Sequence, residues 1–107
     1  MSMKNILEQF TGFQWDEGNS NKNWISHKVQ KSECEQAFFN QPLLISDSKK
    51  ENEKEKRWYL FGRTDLDRRL FIVFTVRNNL IRVISARDMS RKEREEYNEE
   101  IKKNTNL

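Results

Sequence analysis

Leu70-Phe71-Ile72-Val73-Phe74-Thr75-Val76 is apolar on both of the faces that a strand presents. A strand with one wet face alternates apolar and polar residues, and a strand covered on both faces does not. This run therefore belongs at the centre of a sheet and needs a partner on each side. Arg57 to Arg63, carrying Trp58, Tyr59 and Phe61, reads as the strand before it, with a turn over Thr64 to Arg68. Leu80 to Ala86 reads as the strand after it. Asn78-Asn79 is the hairpin turn, because Asn tolerates the left-handed region. The three strands form an antiparallel meander. Leu43-Leu44-Ile45 reads as a further strand, and Phe13-Gln14-Trp15 as a short edge strand.

Helix signals surround the strands. Asp16 is placed as the N-cap of a helix to about Lys28 that is polar except for Trp24 and Ile25. Ser32 with Glu35 has capping-box spacing and opens a helix to about Asn40, with Ala37 and Phe38 facing inward. Pro42 prevents its continuation. Ser90 with Glu93 opens a highly charged helix to about Lys103, whose apolar contacts are Tyr97 and Ile101. Met3, Ile6, Leu7 and Phe10 fall at i, i+3, i+4 and i+7 of a short amphipathic helix. The expected fold is α+β: an antiparallel sheet, a helix pair on one of its faces and a C-terminal helix. The expected organisation is an extension over 1–12, one domain over 13–103 and a tail over 104–107, with Ser46 to Lys56 as a charged connection.

The chain has 107 residues, enough for one domain. Apolar residues make up 35%, below the globular average, but seven Phe, three Trp and two Tyr concentrate the burial area. Three Gly and one Pro exclude collagen-like and Pro/Gly-rich sequence. Cys34 is the one cysteine, which excludes a disulfide scaffold and a cysteine-based metal cluster and fits a reducing compartment. No apolar run matches a signal peptide or a membrane span. A soluble, cytoplasmic protein is expected.

Twenty Lys+Arg against seventeen Asp+Glu leave a net charge of +3, too small by itself to indicate a nucleic-acid partner. Position says more. Many acidic residues sit in two blocks, Glu51–Glu55 and Glu93–Glu100. Between Arg57 and Arg87 stand Arg57, Arg63, Arg68, Arg69, Arg77, Arg82 and Arg87 against only Asp65 and Asp67, with no lysine. Arginine is favoured where a planar fork grips phosphate; the plainer reading is that these arginines flank and solubilise strands. The meander gathers Arg57, Thr75, Arg77 and Arg82 near one end of the sheet and Arg63, Arg69 and Arg87 near the other. Thr75 and Arg77 share one face, and so do Ser85 and Arg87. A three-residue loop at Asn78-Asn79 makes the two faces coincide, and a two- or four-residue loop separates them.

A sheet with arginines and hydroxyls among aromatic rings suits single-stranded RNA, whose phosphates meet guanidinium forks and whose bases stack on rings. For at least two of Trp58, Tyr59 and Phe61 a place in the core is expected instead. No Gly-rich phosphate loop or dinucleotide fingerprint is present. One His and one Cys do not make a conventional zinc site, so no cofactor or metal is expected. Arginines with a proton-transfer group suffice for RNA cleavage through the 2′-hydroxyl, the arginines stabilising charge that develops on phosphate.

Phe13-Gln14-Trp15-Asp16-Glu17-Gly18-Asn19, then Lys22-Asn23 and His27, resembles the opening of the BrnT toxins. Glu55-Lys56-Arg57 with Gly62-Arg63-Thr64 resembles their next block. Thr75-Val76-Arg77, Arg82 to Arg87 and Ser90 to Tyr97 resemble their close. The chain departs from the family pattern at Lys28 and Asn78, where Gly is usual, at Lys31, where an apolar residue is usual, and in about twelve preceding residues. The resemblance implies a RelE-like fold and a metal-independent endoribonuclease that inhibits translation as the toxin of a type II toxin–antitoxin pair. It implies an RNA substrate and a BrnA-like antitoxin that neutralises the toxin in a hetero-oligomer. DNA is then met only through the antitoxin, in autoregulation of the operon. By position, Arg57, Arg77 and Arg87 are implied for phosphate binding and charge stabilisation, and Ser85 for orienting substrate. His27 is the default proton-transfer residue, having the one side chain of ordinary pKa near neutrality; capping a helix C-terminus is its plainer role. The alternatives are a non-catalytic module that binds RNA or protein through the basic sheet, and a structural protein.

Overall fold

The structure is a computed structural model that describes residues 10–19, 21, 27–48 and 55–105. The continuously apolar run is the middle strand, β4 (Arg69–Arg77), of a five-stranded sheet. It is flanked antiparallel by β3 (Trp58–Arg63) and β5 (Leu80–Asp88), and β2 (Leu44–Asp47) pairs antiparallel with β3. The edge strand β1 is only Gly12–Phe13 and runs parallel to β5, so the order is β1-β5-β4-β3-β2. The class is therefore α+β with a mostly antiparallel sheet, as expected. The edge strand begins a residue earlier than expected and ends at Phe13, and Gln14 N donates one further hydrogen bond to Ile81 O at 2.8 Å.

Turn chemistry sets the strand register. Asn78 and Asn79 both lie in the left-handed region, with φ of 53° and 64°, and close a two-residue loop that pairs Arg77 with Leu80. Thr64 closes the loop between β3 and β4: its N donates to Arg68 O at 2.9 Å and its Oγ1 accepts from Arg68 N at 3.0 Å. Trp58 consequently pairs with Phe74, which sets Arg57 level with Thr75.

One face of the sheet is the core. Leu60, Leu70, Ile72, Phe74, Val83 and Ala86 are all fully buried there. Helix α1 (Lys31–Phe39) lies over this face through Cys34, Ala37 and Phe38, and the Phe38 ring centroid stands 5.1 Å from that of Phe74. Gly62 permits the approach, since a Cβ there would meet the Ala37 carbonyl oxygen at 2.7 Å. Helix α1 begins earlier than the Ser32/Glu35 spacing implies. Gln30 is its N-cap, and Gln30 N donates to Glu33 Oε1 at 3.0 Å. Glu33 takes the capping position because Arg68 Nη1 holds its carboxylate at 3.1 Å, so Ser32 falls inside the first turn.

Asp16 caps as expected: its Oδ1 accepts from Asn19 N at 3.0 Å, while Asn19 Oδ1 accepts from Asp16 N at 2.8 Å. Residues 17–19, 21 and 27 are helical, and Trp24 and Ile25 lie outside the described residues. Lys28 then takes φ of 55°. Both positions where the family pattern has Gly, Lys28 and Asn78, thus keep the left-handed backbone that Gly adopts without strain. The stripe Met3, Ile6 and Leu7 and most of the charged connection, 49–54, also lie outside the described residues.

Helix α2 (Arg91–Thr105) starts on the expected capping box, with Ser90 N donating to Glu93 Oε1 at 2.7 Å and Glu93 N to Ser90 Oγ at 3.2 Å. Its Tyr97 is fully buried; the hydroxyl donates to Pro42 O at 2.6 Å and the ring lies 5.2 Å beneath the Arg69 guanidinium. Arg69 Nη1 also donates to Asn98 Oδ1 at 2.6 Å. Arg69 pairs with Arg63 on the second sheet face, so α2 meets that face at its Arg63–Arg69 end. The expectation for the aromatic strand needs correcting. Trp58 packs against the core, but Tyr59 and Phe61 point to the second face, where both rings meet Phe71 at centroid distances of 5.5 and 5.3 Å. Strand alternation forces this outcome, because Trp58 and Leu60 take the inward positions.

Candidate active site

The two-residue loop at Asn78-Asn79 is the length that separates the face of Arg77 from the face of Arg87. The strands nonetheless bring them together. Val73 pairs with Ser85 and Phe74 with Val83, so the register skips Ile84, a β-bulge in β5. One extra residue reverses the alternation after Val83. Arg82, which pairs with Thr75, and Ser85 and Arg87, which pair with Val73 and Phe71, then all share the second face with Arg77.

That face is built in rows across β3, β4 and β5. Arg57, Thr75 and Arg82 form the first, Tyr59, Val73 and Ser85 the second, and Phe61, Phe71 and Arg87 the third. Arg77 stands beyond the first row. Six residues of β4 separate the level of Arg77 from that of Phe71 and Arg87, about 20 Å along the strand. The expected site residues therefore fall at two stations. Arg57 and Arg77 lie at one, Arg87 at the other, and Ser85 between them. His27 is off the sheet, exposed, with its carbonyl oxygen accepting from Arg68 Nη2 at 3.1 Å. Arg68 in turn binds Asp88, which pairs with core-facing Leu70, and Glu33 of α1, so His27 is tied to the α1 side of the sheet at the Arg87 end and meets neither station.

Each station pairs its arginine fork with a carboxylate. Arg77 Nε lies 3.0 Å from both oxygens of Glu55, and Arg77 Nη2 donates to Glu55 Oε1 at 2.6 Å. These bonds, with a smaller contribution from Arg57, hold the Glu55 carboxyl below its usual pKa. Arg87 Nη1 and Nη2 bind Glu93 at 2.8 and 3.0 Å, which likewise lowers the Glu93 pKa. The Arg87 guanidinium also lies 4.5 Å from the centre of the Phe71 ring. A carboxylate held by two parallel N–H groups marks the place and geometry in which the same fork takes a phosphate. Thr75, almost fully buried on this face, donates from Oγ1 to Lys56 O at 2.7 Å and so ties the segment carrying Glu55 to β4.

The model of a family of ribonuclease toxins, BrnT, of type II toxin–antitoxin systems matches residues 15–93. The chain belongs to the BrnT toxin family. No curated relative matches it. The matched span contains His27, Arg57, Arg77, Ser85 and Arg87, and it ends at Glu93, the residue paired with Arg87.

Sequence reasoning missed Glu55 and Glu93 as partners of the candidate arginines, because Glu55 lies in a charged connection and Glu93 is already accounted for as the capping-box partner of Ser90. A signal for Glu55 was present: Glu55, Arg57 and Tyr59 stand two apart, the spacing of one strand face. Arg82 is tied to Asp16 Oδ2 at 2.7 Å. Among the described residues no group of three or more His, Cys, Asp or Glu is arranged to hold a metal ion, and no helix is long and apolar enough to cross a membrane.

Proposed function

We propose that this chain is the toxin of a type II pair, a metal-independent endoribonuclease that acts in the cytoplasm and inhibits translation by cutting RNA. Its scaffold is read as RelE-like. Its partner is read as a BrnA-like antitoxin that neutralises it in a hetero-oligomer and carries the DNA contacts for autoregulation. The observation that carries this reading is the second sheet face. The Ile84 bulge puts Ser85 and Arg87 on the face of Arg57 and Arg77, beside the half-buried rings of Tyr59, Phe61 and Phe71.

A single strand laid along that face draws the arginine forks from their carboxylates to its phosphates. Arg57 and Arg77 grip one phosphate, Arg77 turning to it from Glu55. Arg87 grips another in place of Glu93, with Ser85 orienting the strand between the stations. The rings offer stacking surface to bases. Guanidinium groups on a phosphate stabilise the charge that develops on its oxygens as the 2′-oxygen attacks, and they act without rearrangement once bound.

The test is RNA cleavage by the purified protein with chelator present, alone and in a translation reaction containing ribosomes. The Arg57→Ala/Arg77→Ala variant runs beside it, with circular dichroism as the check on its fold. The parent is expected to cleave and the folded variant to leave RNA intact. Equal cleavage by both removes Arg57 and Arg77 from the site.

A further inference from the structure

The Arg57 and Arg77 station holds two cations beside the Glu55 carboxylate, and attack by a 2′-hydroxyl needs a group to accept its proton. We propose that Glu55 is the general base of RNA cleavage, taking the 2′-hydroxyl proton of the nucleotide whose 3′-phosphate Arg57 and Arg77 hold. The proposal rests on the ribonuclease reading and deepens it by placing the scissile phosphate at this end of the sheet.

Three observations carry it. The first is that Glu55 is placed by more than its ion pair with Arg77. Thr75 Oγ1 donates to Lys56 O at 2.7 Å and Ser48 N donates to Arg57 O at 3.2 Å, so the backbone just after Glu55 is pinned to β4 on one side and to the residue after β2 on the other. Thr75 Oγ1 also stands 3.3 Å from Glu55 Oε2. When a phosphate draws the Arg77 guanidinium away, these contacts keep the backbone that carries Glu55 in place beside β4.

The second observation is access. The side chains of Glu55 and Arg77 are 42% and 46% exposed, so a strand on the second face reaches both. The third is that the other candidate bases are engaged or distant. Asp16 uses Oδ1 to cap Asn19 N and Oδ2 to hold Arg82. His27 is off the sheet, tied through Arg68 to the α1 side at the other end. The neighbouring arginines also keep Glu55 ionised, as a base requires. Once Arg77 has turned to the phosphate, the carboxylate loses its strongest hydrogen-bond donor and its affinity for a proton rises.

The reaction balances without a further reagent. The 2′-hydroxyl proton passes to the Glu55 carboxylate as the 2′-oxygen forms a bond to phosphorus. The bond from phosphorus to the 5′-oxygen breaks, and that oxygen takes a proton from water. The products are a 2′,3′-cyclic phosphate and a 5′-hydroxyl end, and Glu55 returns its proton to solvent.

The experiment compares the parent with Glu55→Gln, an isosteric variant that keeps hydrogen bonding and loses basicity. Cleavage is measured on free RNA and on RNA in a translation reaction, and binding on an oligonucleotide with 2′-O-methyl groups throughout, which resists cleavage. Glu55→Gln is expected to lose about a hundredfold to ten-thousandfold in rate while binding the methylated strand at least as tightly as the parent, since the competitor for Arg77 has lost its charge. Glu55→Asp, which retains a carboxylate, is expected to cut faster than Glu55→Gln. A Glu55→Gln variant that cuts at the parent rate, or a rate loss matched by an equal loss of binding, overturns the assignment and leaves the ribonuclease reading standing. A parent that cuts neither free nor ribosome-bound RNA overturns both.

Discussion

Arg68 is the arginine whose removal should damage the fold most. A guanidinium has five N–H groups, and here all five are used. Nε and Nη2 bind Asp88 at 2.7 and 3.1 Å; Nη2 also reaches His27 O at 3.1 Å; Nη1 reaches Lys28 O at 2.8 Å and the Glu33 carboxylate at 3.1 Å. One side chain thus ties the end of β5, the chain entering α1 and the first turn of α1. The Asp88 arm is 59% exposed, which limits it to about 0.5–1 kcal/mol. On the other arm, Arg68 and Glu33 are 27% and 24% exposed, and charge-assisted bonds of that kind contribute about 1.5–2 kcal/mol. Arg68→Ala should therefore cost about 2–3 kcal/mol, a fall in Tm of about 8–12 °C for a domain of this size. Chemical denaturation at neutral pH measures it. Arg91→Ala is the control: that side chain is 89% exposed, and its pair with Glu95 should matter by no more than about 0.5 kcal/mol. Arg68 also lowers the Asp88 pKa from its ordinary 3.8. A carboxyl with a depressed folded pKa stabilises above its unfolded value and stops doing so as pH falls through the folded one. The difference between parent and Arg68→Ala should be full at neutral pH and shrink below about pH 3.8. A loss no larger than that of Arg91→Ala would refute the clamp.

Three more outcomes follow from the packing and the backbone. Lys28→Gly should stabilise the protein by about 0.5–1 kcal/mol, because relief of the φ of 55° exceeds the entropy that glycine adds to the unfolded chain; a denaturation midpoint at or below that of the parent counts against it. Gly62→Ala should destabilise by about 1–3 kcal/mol, since its Cβ would meet the Ala37 carbonyl oxygen at 2.7 Å and neither backbone can yield cheaply; the same measurement checks it. Burial, with Glu33 and Glu35 adding to it, pushes the Cys34 thiol up to about 12 from 9.0. At pH 8 it should react with a thiol reagent about a thousandfold more slowly in the native protein than in denaturant, as the thiolate fraction falls with the shift. Rapid native labelling would show that the helix opens over Cys34.

The parts of the fold that could be read in advance were those that one residue type decides locally. The unbroken run in β4 demanded the centre of a sheet. Asn78-Asn79 demanded a left-handed pair, Asp16 and Ser90 each demanded a helix start, and each was found. Ser32 failed because Glu33 is claimed from a distance by Arg68, and no local spacing carries that information. Aromatic residues are usually core, which is why at least two of Trp58, Tyr59 and Phe61 are expected there, although the parity of Tyr59 and Phe61 with Arg57 argues for the other face.

The site was legible as a set of residues and not as an arrangement, and the reason is the bulge. A regular strand after a two-residue loop sends Arg87 to the face opposite Arg77. Yet β5 carries its own sign of the switch. Its buried residues are Ile81 and Val83, both odd in number, and then Ala86, which is even. Two buried residues three apart do not share a face in an unbroken strand. An extra residue between Val83 and Ala86 reconciles them, and the same residue moves Arg87 to the face of Arg77. Charge sorts less simply. Arg68 and Arg69 sit in the same run as Arg57 and Arg77 but are spent on Asp88, Glu33, Asp67 and Asn98. Of the arginines proposed for phosphate, Arg77 is held by Glu55 and Arg87 by Glu93. What separates the arginines proposed for phosphate from the structural ones in this chain is the exposure of the arginine itself, 46% and 38% for Arg77 and Arg87 against 27% and 21% for Arg68 and Arg69, a property of three-dimensional position that charge along the sequence does not contain.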